Sequence, residues 1–442
     1  MDVDVLVVGA GPAGLTAAAE LRRRGVPRVL VADREVTPGG IPRHSWHTGY
    51  GLRDLHRVLS GPAYARTLAD AATRSGAELR TGCTVTEVRA GATLSAVLTS
   101  AAGIEEVRPS SVLLATGCRE RPRSARLVPG DRPPGVLTTG ELQQRVYLDG
   151  ERLAGRALVV GAEHVSFSAA VTLAHAGAKV VALVTEHERQ QSYAAFRLGA
   201  ALRWGVPVWT STAVTRVVGA GGKLAGVELA DGAGGQARTV ACDWLVFTGD
   251  WIPDHVLARS SGLAIDAGTR GPAIDTGMAT SAPGVFAAGN LVHAAETADV
   301  AALSGRHAAR QVHSFLAGRA PLTSPRIAVV AESPLRWISP NAVAAGGGLP
   351  PLGRFTLRTA EFRRPGRLEA RQDGRLLARS RPVRLIPGRP VYLRASWLGK
   401  LDPGGGPVRV GVENRGLHVN ELGGHPAPAL PNYKLGFFLR MH

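Results

Sequence analysis

The sequence predicts an α/β protein in which two Rossmann-like, parallel-sheet units are nested, followed by a small all-β unit. Three observations predict it. Strand–turn–helix stretches opening on glycine occur twice, at 4–24 and 156–176. Apolar strands at 112–117 and 281–290 lie on either side of the second stretch, so the first unit is expected to be interrupted by the second. After residue 325 the long periodic runs give way to short alternating ones. The expected bounds are 1–125 and 266–320 for the first unit, 126–265 for the inserted one and 326–442 for the β unit, with a proline-bounded linker at 321–325.

The first turn is the most informative stretch. Val5-Leu6-Val7-Val8 runs into Gly9-Ala10-Gly11-Pro12-Ala13-Gly14, a helix is expected over 15–24, and a strand over 28–32 ends in Asp33, nineteen residues past Gly14. This is the dinucleotide pattern in its proper context. Gly9 makes the tight turn, Gly11 lets a pyrophosphate approach the backbone, and Gly14 lets helix pack on strand. The phosphates are expected at the helix N-terminus, where unpaired N–H groups and the dipole favour negative charge. Asp33 is placed to accept from a ribose.

Which dinucleotide is decided further along. Gly39-Gly40 follows Asp33, Val112-Leu113-Leu114 ends in Ala115-Thr116-Gly117, and Val285-Phe286-Ala287-Ala288 ends in Gly289-Asn290. In this order the four segments resemble the FAD contacts of the pyridine-nucleotide/disulfide oxidoreductase superfamily, over about residues 1–320. The resemblance implies FAD as cofactor, and a cofactor shell of Gly9, Gly11, Pro12, Ala13, Gly14, Asp33, Arg34, Gly40, Val85, Ala115, Thr116, Gly117, Gly289, Asn290 and Thr297. Asn290 stands where the superfamily has an acid; an amide still accepts a hydroxyl proton. The helix expected after Thr297, reaching about Phe315 with Gly305 as an interior soft point, would aim its N–H groups at the flavin. Glu296 reads as a residue of the helix start, and His293 as a neighbour of the same pocket.

The second turn, Gly161-Ala162-Glu163-His164-Val165-Ser166, repeats the grammar with a broken pattern. Glu163 replaces the second glycine and Ser166 the third. Two like charges about 4 Å apart repel by about 1 kcal/mol even with water-like screening, so the fold is expected to be kept while ordinary NAD(P)H binding is left open. NAD(P) is carried as a second nucleotide on these terms.

Between these motifs lies 41–52, Ile-Pro-Arg-His-Ser-Trp-His-Thr-Gly-Tyr-Gly-Leu. Disulfide reductases of the superfamily have a cysteine pair here; aligned without gaps, its positions fall on Pro42 and His47. A dithiol relay through this segment is therefore excluded. His47, His44 and Tyr50 are the catalytic candidates, because imidazole titrates near neutrality and can take a proton as hydride leaves a substrate. Each can equally pack or hydrogen-bond in the cofactor shell. This run, with Leu59–Ala65 and Arg119-Glu120-Arg121-Pro122, resembles a narrower branch of FAD oxidoreductases that lacks the thiol relay, related to the flavoprotein subunits of hydrogen cyanide synthase, opine oxidase and dye-linked proline dehydrogenase.

Composition narrows the class. The cysteines Cys83, Cys118 and Cys242 fall in no metal or C-x-x-C spacing, which fits a reducing compartment. No stretch approaches the roughly 20 apolar residues of a membrane span, and the first strand begins at once, so a cytoplasmic chain without signal peptide is expected. The net charge of +17 is concentrated late: 325–442 holds 19 Lys+Arg against 7 Asp+Glu. Arginine predominates and the basic tail does not read as a binding patch with interleaved aromatics, so nucleic-acid binding is not expected. In the last unit, strands are expected at 355–358, 368–371, 391–394 and 408–412, with Asp373-Gly374 as a hairpin turn and Trp337, Phe355 and Trp397 as core aromatics. Two functions follow: an FAD-dependent oxidoreductase moving a hydride between flavin and a small-molecule substrate or NAD(P)H, or an electron-relay subunit that docks through its β unit on a partner dehydrogenase subunit. No metal is expected.

Overall fold

Four parallel strand ends meet at one place in the molecule. The computed structural model describes residues 1–442 except 92, 194–204, 233–236, 295, 320–324, 345 and 414–442. The expected linker and the last residues of the β unit thus lie outside the described residues. In the first sheet, Glu78–Arg80, Val29–Ala32, Asp2–Val8, Gly103–Leu114 and Val285–Ala287 run parallel in that order. Near-continuous apolar runs make them, as strands covered on both faces require. The register pairs Val8 with both Ala32 and Leu114, and Leu114 with Ala287. Gly9, Asp33, Ala115 and Ala288 therefore leave the sheet side by side, at the carboxyl edge where ligands bind in open α/β sheets. The first half of Gly103–Leu114 pairs instead with the antiparallel strand Ser95–Ser100, which pairs in turn with Cys83–Arg89.

A second parallel sheet has the order Val136–Thr138, Trp244–Phe247, Arg156–Val160, Lys179–Val184, Val208–Trp209. The antiparallel meander Thr212–Ala220, Lys223–Asp231, Arg238–Ala241 packs on it. The two chain passes that join the sheets form an antiparallel pair, Cys118–Glu120 with Trp251–Pro253.

Helix Pro12–Arg23 crosses helix Ala298–Leu316 at Gly305. A Cβ at Gly305 would stand 2.0 Å from the Ala13 carbonyl oxygen. Gly305 is thus a point of close helix contact and not the soft point expected from the sequence.

From Arg326 the described residues form two main sheets around one apolar core, and a two-stranded pair of Arg363–Gly366 with Val383–Leu385. One holds Arg326–Ala331, Ala342–Ala344, Leu368–Gln372, Arg375–Arg379 and Val408–Val412; the other holds Leu335–Ser339, Arg354–Thr359 and Val391–Arg394. Asp373 and Gly374, at φ 47° and 80°, make the two-residue turn between Gln372 and Arg375, and positive φ at both positions is what a type I′ hairpin demands. Phe355 and Trp397 stack in the core at 5.3 Å. Trp337 does not join them. It is half-buried and stacks on His293 at 5.3 Å, outside the β core.

Candidate functional site

The first turn is a bare backbone cradle. A Cβ on Gly14 would lie 1.9 Å from the Gly9 carbonyl, so helix and turn touch there. A Cβ on Gly11 would meet nothing within 4 Å. Gly11 opens onto space at the head of helix Pro12–Arg23, where the first N–H groups have no helical partner. Gly39 N–H donates to Ala10 O at 2.8 Å, which brings Gly40 against Gly11, with a Cβ at Gly40 only 3.1 Å from the Gly11 Cα. Gly289 N–H is held by Ser304 Oγ at 3.1 Å, beside Ala13. Gly11, Pro12, Ala13, Gly40 and Gly289 thus enclose an anion-accepting space with no side chain in it. These residues fit the pyrophosphate of FAD.

The rest of the expected shell is tied to the cradle. The Asp33 carboxylate accepts from Ala10 N–H and, at 2.8 Å, from Glu35 N–H, so it shapes the turn directly. Arg34 is exposed and lies 3.5 Å from Asp254 Oδ2. Val85 is buried beside the parallel strands. Ala115 N–H bonds Val8 O at 2.8 Å; Thr116 Oγ1 donates to Asp254 O at 2.8 Å, and Asp254 N–H to Gly117 O at 2.9 Å. The turn at 115–117 is therefore clasped to the returning chain.

The Asn290 amide brackets the backbone of Glu296: Oδ1 accepts from its N–H at 3.0 Å and Nδ2 donates to its carbonyl at 3.1 Å. Only an amide can do both, since a carboxylate has no donor. That accounts for asparagine where the superfamily has an acid. Thr297 is the N-cap of helix Ala298–Leu316, and its hydroxyl goes to Asp299, not to a helix N–H. Asp299 is buried and takes Arg53 through backbone N–H at 3.2 Å and guanidinium at 3.1 Å. Glu296 corrects the sequence reading. Its side chain is not a cap but lies buried 3.5 Å from the Arg358 guanidinium on strand Arg354–Thr359. His293 is likewise turned toward the β unit, and burial drives its imidazole down to about 3.

The segment 41–50 divides its candidates. His44 closes the 3-10 turn Ile41–His44 and is 4% exposed. Burial pushes it down to about 4, so it is a neutral imidazole at neutral pH. It lies at a seam with helix Thr139–Tyr147, where Ser45 Oγ bonds Gln143 Oε1 at 3.1 Å and Gln143 Nε2 bonds Ser168 Oγ at 3.0 Å. His47 is half-buried, with Nδ1 3.0 Å from Thr48 O. An Nδ1–H donated to that carbonyl leaves Nε2 as the accepting nitrogen. Tyr50 stacks under His47 at 5.2 Å and against Tyr64 at 5.7 Å, and burial raises its phenol. Tyr64 OH donates to Asp54 Oδ2 at 2.7 Å. Tyr50 thus lies between a half-buried imidazole and a buried Tyr–Asp pair. Arg53, Asp54, Tyr64 and Gln143 were not found from the sequence, because their partners lie 10 to 246 residues away with no local motif.

His44 gives a pH prediction. Its folded value is depressed from the ordinary 6.5, so the stability it contributes is full above 6.5 and is lost as pH falls toward about 4. Within that window its share of the slope is at most about 1.4 kcal/mol per pH unit. Melting temperatures between pH 7 and pH 4.5 should fall less steeply for His44→Asn than for the parent; parallel curves would remove His44 as a source.

In the second sheet, Glu163 occupies the turn. Its Oε2 accepts from Ala162 N–H at 3.0 Å and its Oε1 from Thr248 Oγ1 at 2.7 Å, while Ser166 Oγ is 2.7 Å from the same Thr248 oxygen. Nearby, Glu120 accepts from Gly140 N–H at 2.7 Å, and burial pushes its carboxyl up to about 7.

The thiols offer no relay. Cys83, Cys118 and Cys242 form no disulfide with one another; burial raises Cys83 and takes Cys242 up to about 11, away from the thiolate that reacts. Replacing Cys83 and Cys242 by Ala and Cys118 by Ser should leave substrate-driven flavin reduction within about threefold, less than the 10²–10⁴ of a lost acid–base group. Loss of reduction with FAD retained would give Cys118 a redox role.

Comparison with known proteins agrees with this geometry. Residues 3–305 match the family described as pyridine nucleotide-disulphide oxidoreductase. The chain is 34% identical over 187 residues to an opine oxidase subunit of Agrobacterium tumefaciens, covering 39% of this chain and 35% of that protein. It is 33% identical over 185 residues to the HcnB subunit of hydrogen cyanide synthase from Pseudomonas aeruginosa, covering 41% and 38%. To the ferredoxin–NADP reductase of Ignicoccus hospitalis it is 29% identical, over 68% of this chain and 94% of that one. The matches to the opine oxidase and cyanide synthase proteins thus span little more than a third of each. In fold it resembles thioredoxin reductase of T. acidophilum (TM-score 0.60, 23% identity, 71% of this chain and 98% of that one) and L-proline dehydrogenase of P. horikoshii (TM-score 0.51, 18% identity, 70% and 54%). Among the described residues no helix is long and apolar enough to cross a membrane. The chain belongs to the pyridine nucleotide-disulphide oxidoreductase family.

Proposed function

We propose that this chain oxidises a small metabolite by hydride transfer to FAD, with His47 as the proton acceptor and no thiol step. The observation that carries the reading is His47, a half-buried imidazole at the cysteine position with Nδ1 engaged on Thr48 O. FAD, when bound, supplies the two-electron chemistry. The protein's part is to hold and orient. Gly11, Gly40 and the head of helix Pro12–Arg23 receive the pyrophosphate. The N-terminus of helix Ala298–Leu316, fixed by Arg53, Asp299 and the Asn290 amide, presents positive potential to what lies before it. His47 Nε2 takes the substrate proton, and the stack on Tyr50 and Tyr64 keeps the ring in place.

Two relatives are named an opine oxidase and a sarcosine oxidase, which favours a small amine as the metabolite. On this reading 1–125 with 266–320 form the FAD unit, 126–265 the second nucleotide-type unit and 326–442 the β unit. Because opine oxidase and hydrogen cyanide synthase relatives are named as subunits, a second reading has the chain relay electrons for the subunit of a partner dehydrogenase. Anaerobic mixing of the flavoprotein with a panel of amines, NADH and NADPH, followed by flavin bleaching, tests both. Bleaching by an amine is the expected result. Bleaching by none of the amines, with fast bleaching by micromolar NADH, would replace the proposal by a pyridine-nucleotide-linked reductase.

A further inference from the structure

A dinucleotide seated on a strand–turn–helix unit needs two things: donors at the helix N-terminus for its pyrophosphate, and the loop about 20 residues further on for its adenosine ribose. In the second sheet the turn just before the helix and the loop are both occupied by this chain's own side chains, although Glu163 makes no bond to a helix N–H.

At the turn, the Glu163 carboxylate accepts from Ala162 N–H at 3.0 Å and from the Thr248 hydroxyl at 2.7 Å. It lies immediately before helix His164–Ala176. A carboxylate on turn donors ahead of a helix makes the same bonds as a phosphate oxygen.

At the loop, the occupant comes from the β unit. Strand Lys179–Val184 ends and is followed by His187 and Arg189. Phe362, just before strand Arg363–Gly366, meets both: its ring is edge-on to His187 at 5.8 Å and lies 4.9 Å under the Arg189 guanidinium. An aromatic ring on an arginine is also how an adenine would be received.

A third set of contacts joins the two places. Arg389, before strand Val391–Arg394, donates from Nε to Gln191 O at 2.6 Å and from Nη2 to Ser192 O. Its guanidinium lies 4.2 Å over the Tyr193 ring, which is edge-on to His164 at 4.7 Å. Gln191 and Ser192 donate their N–H groups to Ala162 O, each at 3.1 Å. Ala162 is the middle of the turn, so the β unit grips the turn through two residues.

We propose that the second nucleotide site is self-occupied: Glu163 stands in for the pyrophosphate, Phe362 for the adenine, and Arg389 latches the β unit onto the loop so that pyridine nucleotide binds only when the latch is released. The proposal rests on reading 126–265 as a nucleotide-type unit. It differs from plain packing of one unit on another in one consequence. Removing packing only loosens a protein, whereas removing a competitor tightens the ligand it excludes. Apparent affinity scales with the competent fraction, so a latch that leaves the site open about 1% of the time weakens binding about 100-fold.

The test uses the full-length, FAD-loaded chain and NADH as probe, with binding read by equilibrium dialysis and loop release by hydrogen exchange at 185–192. The variants are Phe362→Ala with Arg389→Ala, and the same pair with Glu163→Gly. Exchange at 185–192 should rise in both, and the triple variant should bind NADH at least ~10-fold more tightly than the parent, on the same scaling. Micromolar NADH binding by the parent would overturn the proposal, and so would a triple variant that keeps its FAD and binds no tighter. If the triple variant loses FAD, Glu163→Gly with Arg389→Gln takes its place under the same criterion. Amine-driven flavin bleaching, run on the same preparations, is expected to be unchanged in the Phe362/Arg389 variant. Its absence from the parent would count against the proposed function and leave the latch to be decided by dialysis alone.

Discussion

Gly11→Leu should purify as a folded, colourless chain, while the parent is yellow with one flavin per chain. The two halves of that result come from the same geometry. A Cβ at Gly11 meets no protein atom within 4 Å, and the backbone there lies at φ −80°, which any residue adopts. The protein itself therefore has room for the leucine. The added side chain fills the space into which the pyrophosphate must come. An overpacking cost of about 3 kcal/mol weakens binding by about 100-fold, and the real loss is larger because the phosphates also lose their approach to the helix N–H groups. Gly14→Leu is the contrasting control. Its Cβ would stand 1.9 Å from Gly9 O, so that variant should fail to fold and not merely lose its colour. Absorbance near the flavin bands, with melting curves for both variants, measures the difference. A Gly11→Leu chain that stays yellow would place the cofactor elsewhere and remove the FAD assignment from this turn.

The sequence was most legible where one local pattern determines one local structure. The first turn with its strand and helix, the strand Lys179–Val184, the helix end at Ala176, and the Asp373-Gly374 hairpin all follow from glycine placement and apolar period. Broken glycine spacing likewise singled out Glu163, which the structure shows bonded within its own turn. What could not be read were pairings made across the fold. Glu296 sits where helix caps sit, and only tertiary structure turns it toward Arg358, 62 residues on. Gly305 in a helix reads as weakness until a second helix is laid across it at Ala13. Trp337 has the composition of a core residue, yet the unit's edge and His293 claim it. His44 and His47, three residues apart, are both acid–base candidates in the sequence, with packing the leading reading for His44 only. A 3-10 turn places one inside against Gln143 and leaves the other only half-buried, and no periodicity announces so short an element. In each case the missing information was a partner distant in sequence, and burial and charge decided the outcome.

His47→Asn should keep its FAD and lose most of its substrate-driven flavin reduction, by roughly 10²–10⁴-fold, the usual worth of a positioned acid–base group. Asparagine is the discriminating replacement. Its side chain can still hydrogen-bond toward Thr48 O in the place of Nδ1, so the loop is supported, but an amide cannot take up a proton at neutral pH. FAD content should not move, because the cradle is built from residues of the first turn, Gly40 and Gly289, and not from His47. The comparison variant is Tyr50→Phe. It keeps the ring that stacks between His47 and Tyr64 and removes only the hydroxyl. If Tyr50 is a spacer, Tyr50→Phe reduces flavin within about threefold of the parent, far below the loss from an acid–base group; if its phenol moves the proton, it fails as His47→Asn does. Single-turnover reduction at saturating substrate separates these cases from effects on binding. A His47→Asn chain that reduces its flavin within threefold of the parent, with chemistry shown to limit the rate, would return His47 to a packing role. The proton would then have to leave through Tyr50 and the Tyr64–Asp54 pair, the next ionisable groups in the stack.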